Sequence, residues 1–356
     1  MINFCTLFNS TYLTRGLAMY LSLEKYCPDF HLYVIAFDDG CYDTIRALQL
    51  KNATVISLHE FENDEMLKVR QTRTATEYCW TCTPISVDYC LNRFGLDSCT
   101  YIDADLLFFS NPAVLLDEMK TDSVLITEHR YTQEYDQTKV SGKYCVQFVS
   151  FKNDIRGQKV LQWWKQACLD WCYNRVEDGR FGDQKYLDEW CERFEGVHEL
   201  EHLGGGVAPW NMQQYHFSRY NGSMVGQEIT TGRKFNLVFF HFHGFRYCKY
   251  NVFMPAGPYQ LNENLLALIY GPYIDSLHQS RKLLQQNNQP SPGHELLPVK
   301  KVFRSPMRIY QLYMKGHFRN YYHHSYFAGR NDESSDPFPK MSGSLITLPV
   351  KFLYKK

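Results

Sequence analysis

Short apolar runs alternate with amphipathic stretches over the first part of the chain. The runs at 2–8, 31–37 and 53–57 are mostly hydrophobic, which is typical of strands buried on both faces of a sheet. Apolar residues at helical spacing in 13–21, and a shorter segment near 42–50, predict helices between these strands. The alternation of strand and helix predicts an α/β layer with a mainly parallel sheet.

Ligands of such sheets bind at the carboxyl ends of the strands, which here are followed by the loop at 8–10 and by Asp38-Asp39. Further along, residues 74–93 are predicted to form a helix that Pro84 either kinks or starts, and residues 286–299 a linker. The other predicted elements are strands at 100–102, 123–127, 144–151 and 235–240, and helices at 154–174 and 261–285, with a further apolar run at 106–109.

Composition places the chain among globular proteins. Its 356 residues are 44% hydrophobic and 21% charged, and the formal net charge of zero gives no signature of nucleic-acid binding. The length allows one large domain or a domain with an appendage. Aromatic residues are abundant, and such side chains line sugar sites as well as cores.

The N-terminal residues enter a strand directly, with no basic segment before an apolar one, so we expect no signal peptide. No apolar stretch is long enough to cross a bilayer. A cytoplasmic location is therefore expected, with the 12 cysteines reduced. Cys79 and Cys82 have zinc-ligand spacing, but no second such pair completes a four-ligand site.

The stretch Asp103-Ala104-Asp105 lies between two apolar runs. Carboxylates at i and i+2 point to the same side of an extended chain. An unpaired pair of charges inside a fold would be costly, whereas a hard divalent cation prefers such oxygen ligands. The pattern predicts a metal site at the end of a strand.

Two later segments carry further candidates. Gly182 permits a sharp turn, after which Asp183 can cap the helix that follows. The predicted strand at 235–240 runs into His241 and His243, which alternation sends to the same side. One or both histidines can therefore join a metal, or they can be satisfied core residues.

Residues 296–330 combine basic and aromatic side chains without an acidic residue. This composition suits peripheral contact with an anionic membrane surface, at the inner face of the membrane if the protein is cytoplasmic. A solvated extension that packs on the core is an equal alternative.

Three stretches together resemble the metal-dependent GT-A glycosyltransferases, and most closely glycosyltransferase family 8, the group of glycogenin and lipopolysaccharide galactosyltransferases. They are YIDADLL at 101–107, GDQKYLDEW at 182–190 and HFHG at 241–244. The resemblance covers roughly residues 1–255. It implies a Rossmann-like α/β/α sandwich that binds a nucleotide sugar, with a mainly parallel mixed sheet.

On this basis a catalytic domain is expected at 1–258, with a nucleotide-binding half at about 1–110 and an acceptor half at about 111–258. A helical and basic-aromatic extension would follow at 259–356.

The resemblance also implies the metal ligands. Asp103 and Asp105, with Ala104 between them, match the pair that holds Mn²⁺ or Mg²⁺. His241 matches the third protein ligand, in the His-x-x-Gly pattern that ends at Gly244.

The nucleotide sugar is expected beside other residues. Thr6, Phe8 and Asn9 match the loop that receives the base and ribose. Asp183 and Gln184 match the Asp-Gln pair beside the donor sugar.

The chain departs from the family in two places. The Lys-Pro-Trp that usually follows His-x-x-Gly is absent, which leaves the phosphate-binding cation open between Arg246 and Lys249. The Arg-Leu common in the helix before the aspartate pair is also absent, and Arg70 or Arg73 can substitute for it.

The implied activity is transfer of a sugar from a nucleotide-diphosphate sugar, expected to be UDP-linked, to a glycan or glycolipid acceptor with retention of configuration. Retention leaves two routes, one with Gln184 supporting an oxocarbenium and one with Asp183 as nucleophile. An inverting enzyme would need a base such as Asp188 or Glu201. The rival classes are a phosphohydrolase with an aspartate nucleophile and a non-catalytic carbohydrate-binding protein. The sequence does not constrain the oligomeric state.

Overall fold

A seven-stranded sheet forms the centre of the protein in a computed structural model, which describes residues 1–248, 252–293, 322–323 and 326–327. Its strands lie in the order β3-β2-β1-β4-β7-β6-β8. Their bounds are β1 Ile2–Phe8, β2 Phe30–Ala36, β3 Ala53–Ser57, β4 Ser98–Ile102, β6 Val124–Glu128, β7 Tyr144–Lys152 and β8 Val197–Glu199.

Pairing in this sheet is parallel from β3 through β2 and β1 to β4, and again between β6 and β8. It is antiparallel where β7 joins β4 and β6. The predicted α/β class with a mainly parallel mixed sheet is therefore confirmed. The carboxyl ends of β1, β2 and β4 lie at one edge, which is where ligands of such sheets bind.

Helices cover both faces of the sheet and complete an α/β/α sandwich. One core contains side chains of α1 and α2, and the other contains side chains of α5 and α8. The α-helices are α1 Leu13–Tyr26, α2 Asp39–Leu48, α3 Leu58–Phe61, α4 Asp64–Arg70, α5 Ala75–Phe94, α6 Ala113–Leu116, α7 Thr138–Ser141, α8 Ile155–Asp170, α9 Trp190–Arg193, α10 Glu263–Leu265 and α11 Gly271–Gln286.

The sequence explains where α5 begins and ends. Thr74 and Glu77 form a reciprocal capping box at its start, and Gly95 ends it in the left-handed conformation at φ +61°. Pro84 lies inside the helix, so it does not mark the start.

Two predicted elements differ from the structure. The predicted helix at 154–174 ends at Asp170. The predicted strand at 235–240 is divided between β11, Lys234–Asn236, and β12, Phe239–His241, which belong to different sheets. The division occurs because each short piece finds a separate partner strand.

Smaller sheets surround the carboxyl edge. β12 pairs with β5, Leu106–Phe108. β11 pairs with β10, Ser223–Glu228, which in turn pairs with β9, Tyr215–Tyr220.

The predicted helical segment after residue 259 packs on the rest of the fold. α11 contacts α1, and a short π-helical turn, Leu266–Tyr270, precedes it. The ring of Tyr273 stacks on Phe242 at a centroid distance of 3.7 Å. Tyr270 meets Phe242 edge to face at 5.3 Å. This helical segment thus shares a hydrophobic core with β12 and the residues after it.

Most of the basic-aromatic segment at 296–330 lies outside the described residues. Its described part includes β15, Tyr322–His323, which pairs with β14, Val252–Met254; β14 also pairs with β13, Arg246–Cys248. Phe327 is buried against Phe253. Across the described ranges, every helix is too short or too polar to span a bilayer.

The hydroxyl of Tyr270 provides a test of this packing, because it is buried and has no hydrogen-bond partner in the described part of the chain. Tyr270→Phe should leave the free energy of unfolding unchanged or slightly higher, since it removes an unsatisfied polar atom. Tyr270→Ala should cost about 3–5 kcal/mol, as truncation of a large buried ring does. Chemical denaturation measures both.

Tyr186→Phe is the matched control. The Tyr186 hydroxyl donates to the carbonyl oxygens of Trp171 at 2.8 Å and Ala167 at 3.2 Å. Its loss should cost about 1 kcal/mol. Equal losses of unfolding free energy in Tyr270→Phe and Tyr186→Phe would contradict the conclusion that the Tyr270 hydroxyl is unsatisfied.

Candidate active site

Antiparallel pairing of β5 with β12 brings the distant aspartate and histidine segments together. The register sets His241 opposite Leu106. The amide of Phe242 donates to the carbonyl oxygen of Asp105 at 3.0 Å, and the amide of His241 donates to Val207 at 2.9 Å. These backbone hydrogen bonds alone place His241 beside Asp105.

The aspartate pair occupies the turn between β4 and β5. The amide of Asp103 donates to the carbonyl oxygen of Gln147 on β7 at 3.1 Å. The hydroxyl of Tyr101 donates to Asp103 Oδ1 at 2.9 Å. The first bond fixes the backbone of Asp103, and the second orients its carboxylate and leaves Oδ2 for another partner.

Three candidate ligand atoms converge at this turn. His241 Nε2 lies 3.1 Å from Asp105 Oδ1 and 3.7 Å from Asp103 Oδ2. The side chains of His241 and Asp105 are only 6% and 14% exposed, whereas Asp103 is 28% exposed. Two carboxylates and an imidazole suit Mn²⁺ or Mg²⁺ as ligands. The partly exposed side of the trio, at Asp103, leaves access for further ligands.

The electrostatics of the trio are those of a site built for positive charge. Burial lowers the pKa of His241, but Asp105 and Asp103 outweigh it and hold that pKa well above its ordinary value. Burial raises the pKa of Asp105, yet the His241 imidazolium brings it down to about 2. Burial raises the pKa of Asp103. A protonated imidazole thus balances the carboxylates without a metal.

The loop at 204–211 closes one side of the trio. The indole of Trp210 stands edge-on to the His241 ring at 5.4 Å. Asn211 donates to the carbonyl oxygens of His129 and Gly206, and accepts from Ala208. The hydrogen bonds of Asn211 therefore hold this loop next to His241.

Two residues that the sequence analysis did not single out also lie here. Gln147 Oε1 accepts from His241 Nδ1 at 2.8 Å. Arg15 is buried, and its guanidinium donates to the carbonyl oxygens of Phe245 at 3.1 Å and Thr11 at 3.3 Å. A glutamine within the apolar run of β7 was the available signal, whereas Arg15 carried none.

The predicted nucleotide-binding residues on β1 are mostly buried. The side chains of Thr6 and Phe8 are 0% and 5% exposed, and the Thr6 hydroxyl has no hydrogen-bond partner within the described ranges. Asn9 accepts from the amide of Thr11 and caps a short 3₁₀ turn, Ser10–Tyr12. At this edge β1 can therefore offer a nucleotide its backbone and the polar loop rather than the Phe8 ring.

The predicted donor-sugar residues precede a 3₁₀ helix, Lys185–Glu189, rather than an α-helix, and among the described residues no side chain caps it. Gln184 Nε2 donates to the carbonyl oxygen of Ser141 at 2.9 Å. Asp183 is buried. Burial raises its pKa to about 7, the Thr83 hydroxyl opposes the shift, and the nearby Asp103 carboxylate adds to it.

The arginine and lysine side chains that the sequence marked as candidates have different surroundings. Arg246 is exposed at the start of β13, and Lys249 lies outside the described residues. Arg70 pairs with Glu62 at 3.0 Å. Arg73 donates to Leu169 and lies over the Tyr173 ring.

The remaining predicted residues have simple surroundings. Ala104 is buried within the turn, and Gly244 is exposed with φ +74°. Asp188 accepts from the Lys143 amide at 2.7 Å and pairs with Lys185 at 2.8 Å.

A second trio of candidate metal ligands consists of the buried thiols of Cys5, Cys90 and Cys99. Within the described ranges, this trio and the one at Asp103 are the groups whose ligand atoms converge, and the spacing of Cys79 and Cys82 does not produce another.

The raised pKa of Asp183 predicts a pH dependence of stability. An aspartate titrates near 4 in the unfolded chain and near 7 here, so the folded state binds the extra proton. The free energy of unfolding should therefore fall as pH rises between about 4 and 7, relative to Asp183→Asn. The difference should approach the order of 4 kcal/mol by pH 8, measured by denaturation in EDTA.

Asp97→Asn, which removes an exposed carboxylate, is the control and should not reproduce this trend. A constant difference between Asp183→Asn and the wild type from pH 4 to pH 8 would show that Asp183 is not held neutral.

Solved structures with a related chain path are glycosyltransferases of low sequence identity. Galactosyltransferase LgtC, in complex with donor and acceptor sugar analogs, is 13% identical with a TM-score of 0.48, over 78% of this chain and 96% of that one. The bifunctional glycosyltransferase WbbM is 11% identical with a TM-score of 0.46, over 80% and 51%. No family model matches the chain.

Two relatives are much closer in sequence. The uncharacterized protein YfnD of Bacillus subtilis strain 168 is 31% identical over 283 residues, which are 77% of this chain and 88% of YfnD. The uncharacterized protein YfnF of the same strain is 32% identical over 256 residues, 70% of this chain and 83% of YfnF. The chain belongs to the family of YfnD and YfnF.

Proposed function

We propose that the protein is a metal-dependent glycosyltransferase of the GT-A type, which transfers a sugar from a nucleotide-diphosphate sugar to a glycan or glycolipid. The observation that carries the proposal is the convergence of Asp103, Asp105 and His241 at the carboxyl edge of the sheet. A UDP-linked donor and retention of configuration are the finer parts of the proposal, and both come from the motif resemblance.

The donor set fits Mn²⁺ or Mg²⁺ through Asp103, Asp105 and His241. When bound, such an ion would act as a Lewis acid on the diphosphate leaving group. Arg246 or Lys249 would add a second positive contact to the phosphates.

The state of Asp183 supports the oxocarbenium route over the covalent one. With a pKa near 7, its carboxyl is partly protonated at neutral pH and can both donate and accept hydrogen bonds. That suits a residue that holds sugar hydroxyls, whereas a nucleophile would need to be ionised. We therefore assign Asp183 to donor-sugar binding.

The amide of Gln184 fits the supporting role. Its Nε2 is already bound to Ser141, so Oε1 is the polar end that remains to face positive charge developing on the sugar. Preorganised dipoles of this kind lower the barrier because they need not reorient during the reaction.

For inversion, Asp188 is a weaker candidate base because its two oxygens already contact the Lys143 amide and the Lys185 ammonium. Glu201 is exposed and stays the alternative.

Two rival classes make different demands on the site. An aspartate-nucleophile phosphohydrolase commonly places Gly, Thr or Val after its second aspartate, where this chain has Leu106-Leu107. A sugar-binding module would not need the aspartate–histidine trio. A panel of nucleotide sugars tested for metal-dependent hydrolysis distinguishes all three, since only the transferase releases sugar and nucleoside diphosphate.

Asp105→Ala tests the metal role. The variant should lose nucleotide-sugar hydrolysis and transfer down to the level of the metal-stripped wild type, because a ligand of the leaving-group cation is gone. Product release assayed with and without Mn²⁺ measures the loss. Asp43→Asn, which removes an exposed carboxylate on α2, should retain full activity.

Circular dichroism should show that Asp105→Ala is folded. Full activity of this variant in metal-stripped buffer would rule out the proposed chemistry.

Gln184→Ala tests the supporting amide. Turnover should fall by about 10²-fold, as for loss of one stabilising dipole in the transition state, while the Kd of the donor changes much less. Steady-state kinetics and calorimetry together separate the two effects. Gln166→Ala on the exposed side of α8 is the control. The opposite split, weak binding with normal turnover, would make Gln184 a binding residue.

A further inference from the structure

Gln147 is a buried amide in a mostly apolar part of the central sheet. It lies within β7 and is 0% exposed, with Val146 and Phe148 as buried neighbours. A buried glutamine in such a strand must place both ends of its amide. One end is accounted for: Oε1 accepts from Nδ1 of His241 at 2.8 Å.

This bond determines which nitrogen of His241 faces the aspartates. An acceptor at Nδ1 keeps the proton on Nδ1 in the neutral ring, so that Nε2 carries the free lone pair. Nε2 is the atom that lies beside Asp105 and Asp103. When a cation displaces the proton from Nε2, the ring is therefore left in the tautomer that the cation requires.

The amide is also held in place by its surroundings. A side chain at Gly206 would approach Gln147 Nε2 to 3.2 Å and Thr127 Cγ2 to 2.6 Å, so this glycine leaves just enough room for the amide. The backbone oxygen of Gln147 accepts from the Asp103 amide. One residue therefore contacts both the aspartate turn and the histidine.

The other end of the amide is not satisfied. Among the described residues, Nε2 of Gln147 has no hydrogen-bond partner although it is buried. An unsatisfied buried donor lowers stability, so the glutamine carries a cost that only its bond to His241 offsets. Packing alone therefore does not explain a glutamine at this position.

We propose that Gln147 is a positioning residue that holds His241 in the metal-binding tautomer and orientation. The inference rests on the proposed metal-dependent function and deepens it. Outer partners of a metal-ligating histidine generally contribute about 10- to 100-fold in metal affinity.

Cys145 provides the competing explanation. It precedes Gln147 by two positions on the same strand, and its thiol lies close enough to the His241 ring to raise the pKa of the imidazole. If general packing around the ring were sufficient, loss of either neighbour would have a similar effect.

The test is Mn²⁺ binding to the full chain without nucleotide. Electron paramagnetic resonance and calorimetry measure the binding. Gln147→Leu and Gln147→Met remove the acceptor but keep the volume, and should weaken Mn²⁺ binding by about 10- to 100-fold. Gln147→Glu restores an acceptor and should bind within a few-fold of the wild type. Both variants also leave the buried Nδ1–H of His241 without its acceptor, which lowers stability, so Mn²⁺ binding is measured well below the midpoint of thermal unfolding. Recovery of Mn²⁺ binding in Gln147→Glu, with none in Gln147→Met, separates positioning from a structural role.

Two controls complete the set. Gln162→Leu removes a glutamine that donates to Asp88, away from the trio, and should bind Mn²⁺ normally. Cys145→Ala should lose no more than a few-fold.

Wild-type affinity in both Gln147→Leu and Gln147→Met would overturn the inference while leaving the metal site intact. Equal losses in Cys145→Ala and Gln147→Leu would also overturn it, in favour of packing. Absence of Mn²⁺ binding from the wild type would overturn the proposed function and the inference together.

Discussion

The pairing of β5 with β12 is the constraint on which the candidate site depends. It joins two segments that are remote in sequence, and its register sets His241 next to the aspartate turn. Because a slip of one residue in a strand exchanges its two faces, the same register decides whether the imidazole meets Asp105 or the core. The backbone bond from Phe242 to Asp105 fixes that choice.

Aromatic packing on the opposite face supports this register. Phe240 and Phe242 flank His241 and point the other way, into a cluster with Tyr270 and Tyr273. Burial of these rings holds one face of β12 against the core, so His241 on the opposite face points toward the carboxylates. The helical segment after residue 259 is therefore part of what holds the site, and we expect its removal to release the histidine.

Local sequence patterns were enough to predict much of the fold. They did not predict which distant segments pair with each other. The continuous apolar runs predicted strands buried on both faces, and the helical spacing predicted helices buried on one face. Together they predicted the α/β sandwich. The aspartate pair was recognisable from its apolar flanks, and His241 from the motif that follows it. The division of 235–240 into two strands was missed because partner choice depends on segments far away. Gln147 and Arg15 were missed for the same reason: their roles are defined by contacts across the sheet.

The most direct test of this account is a crystal structure of the protein grown with Mn²⁺ and UDP, with anomalous diffraction data collected at the manganese edge. The account predicts one strong anomalous peak within coordination distance of Asp103, Asp105 and Nε2 of His241, with the diphosphate on its open side. A manganese peak elsewhere, or a nucleotide bound away from the carboxyl edge of the sheet, would contradict it.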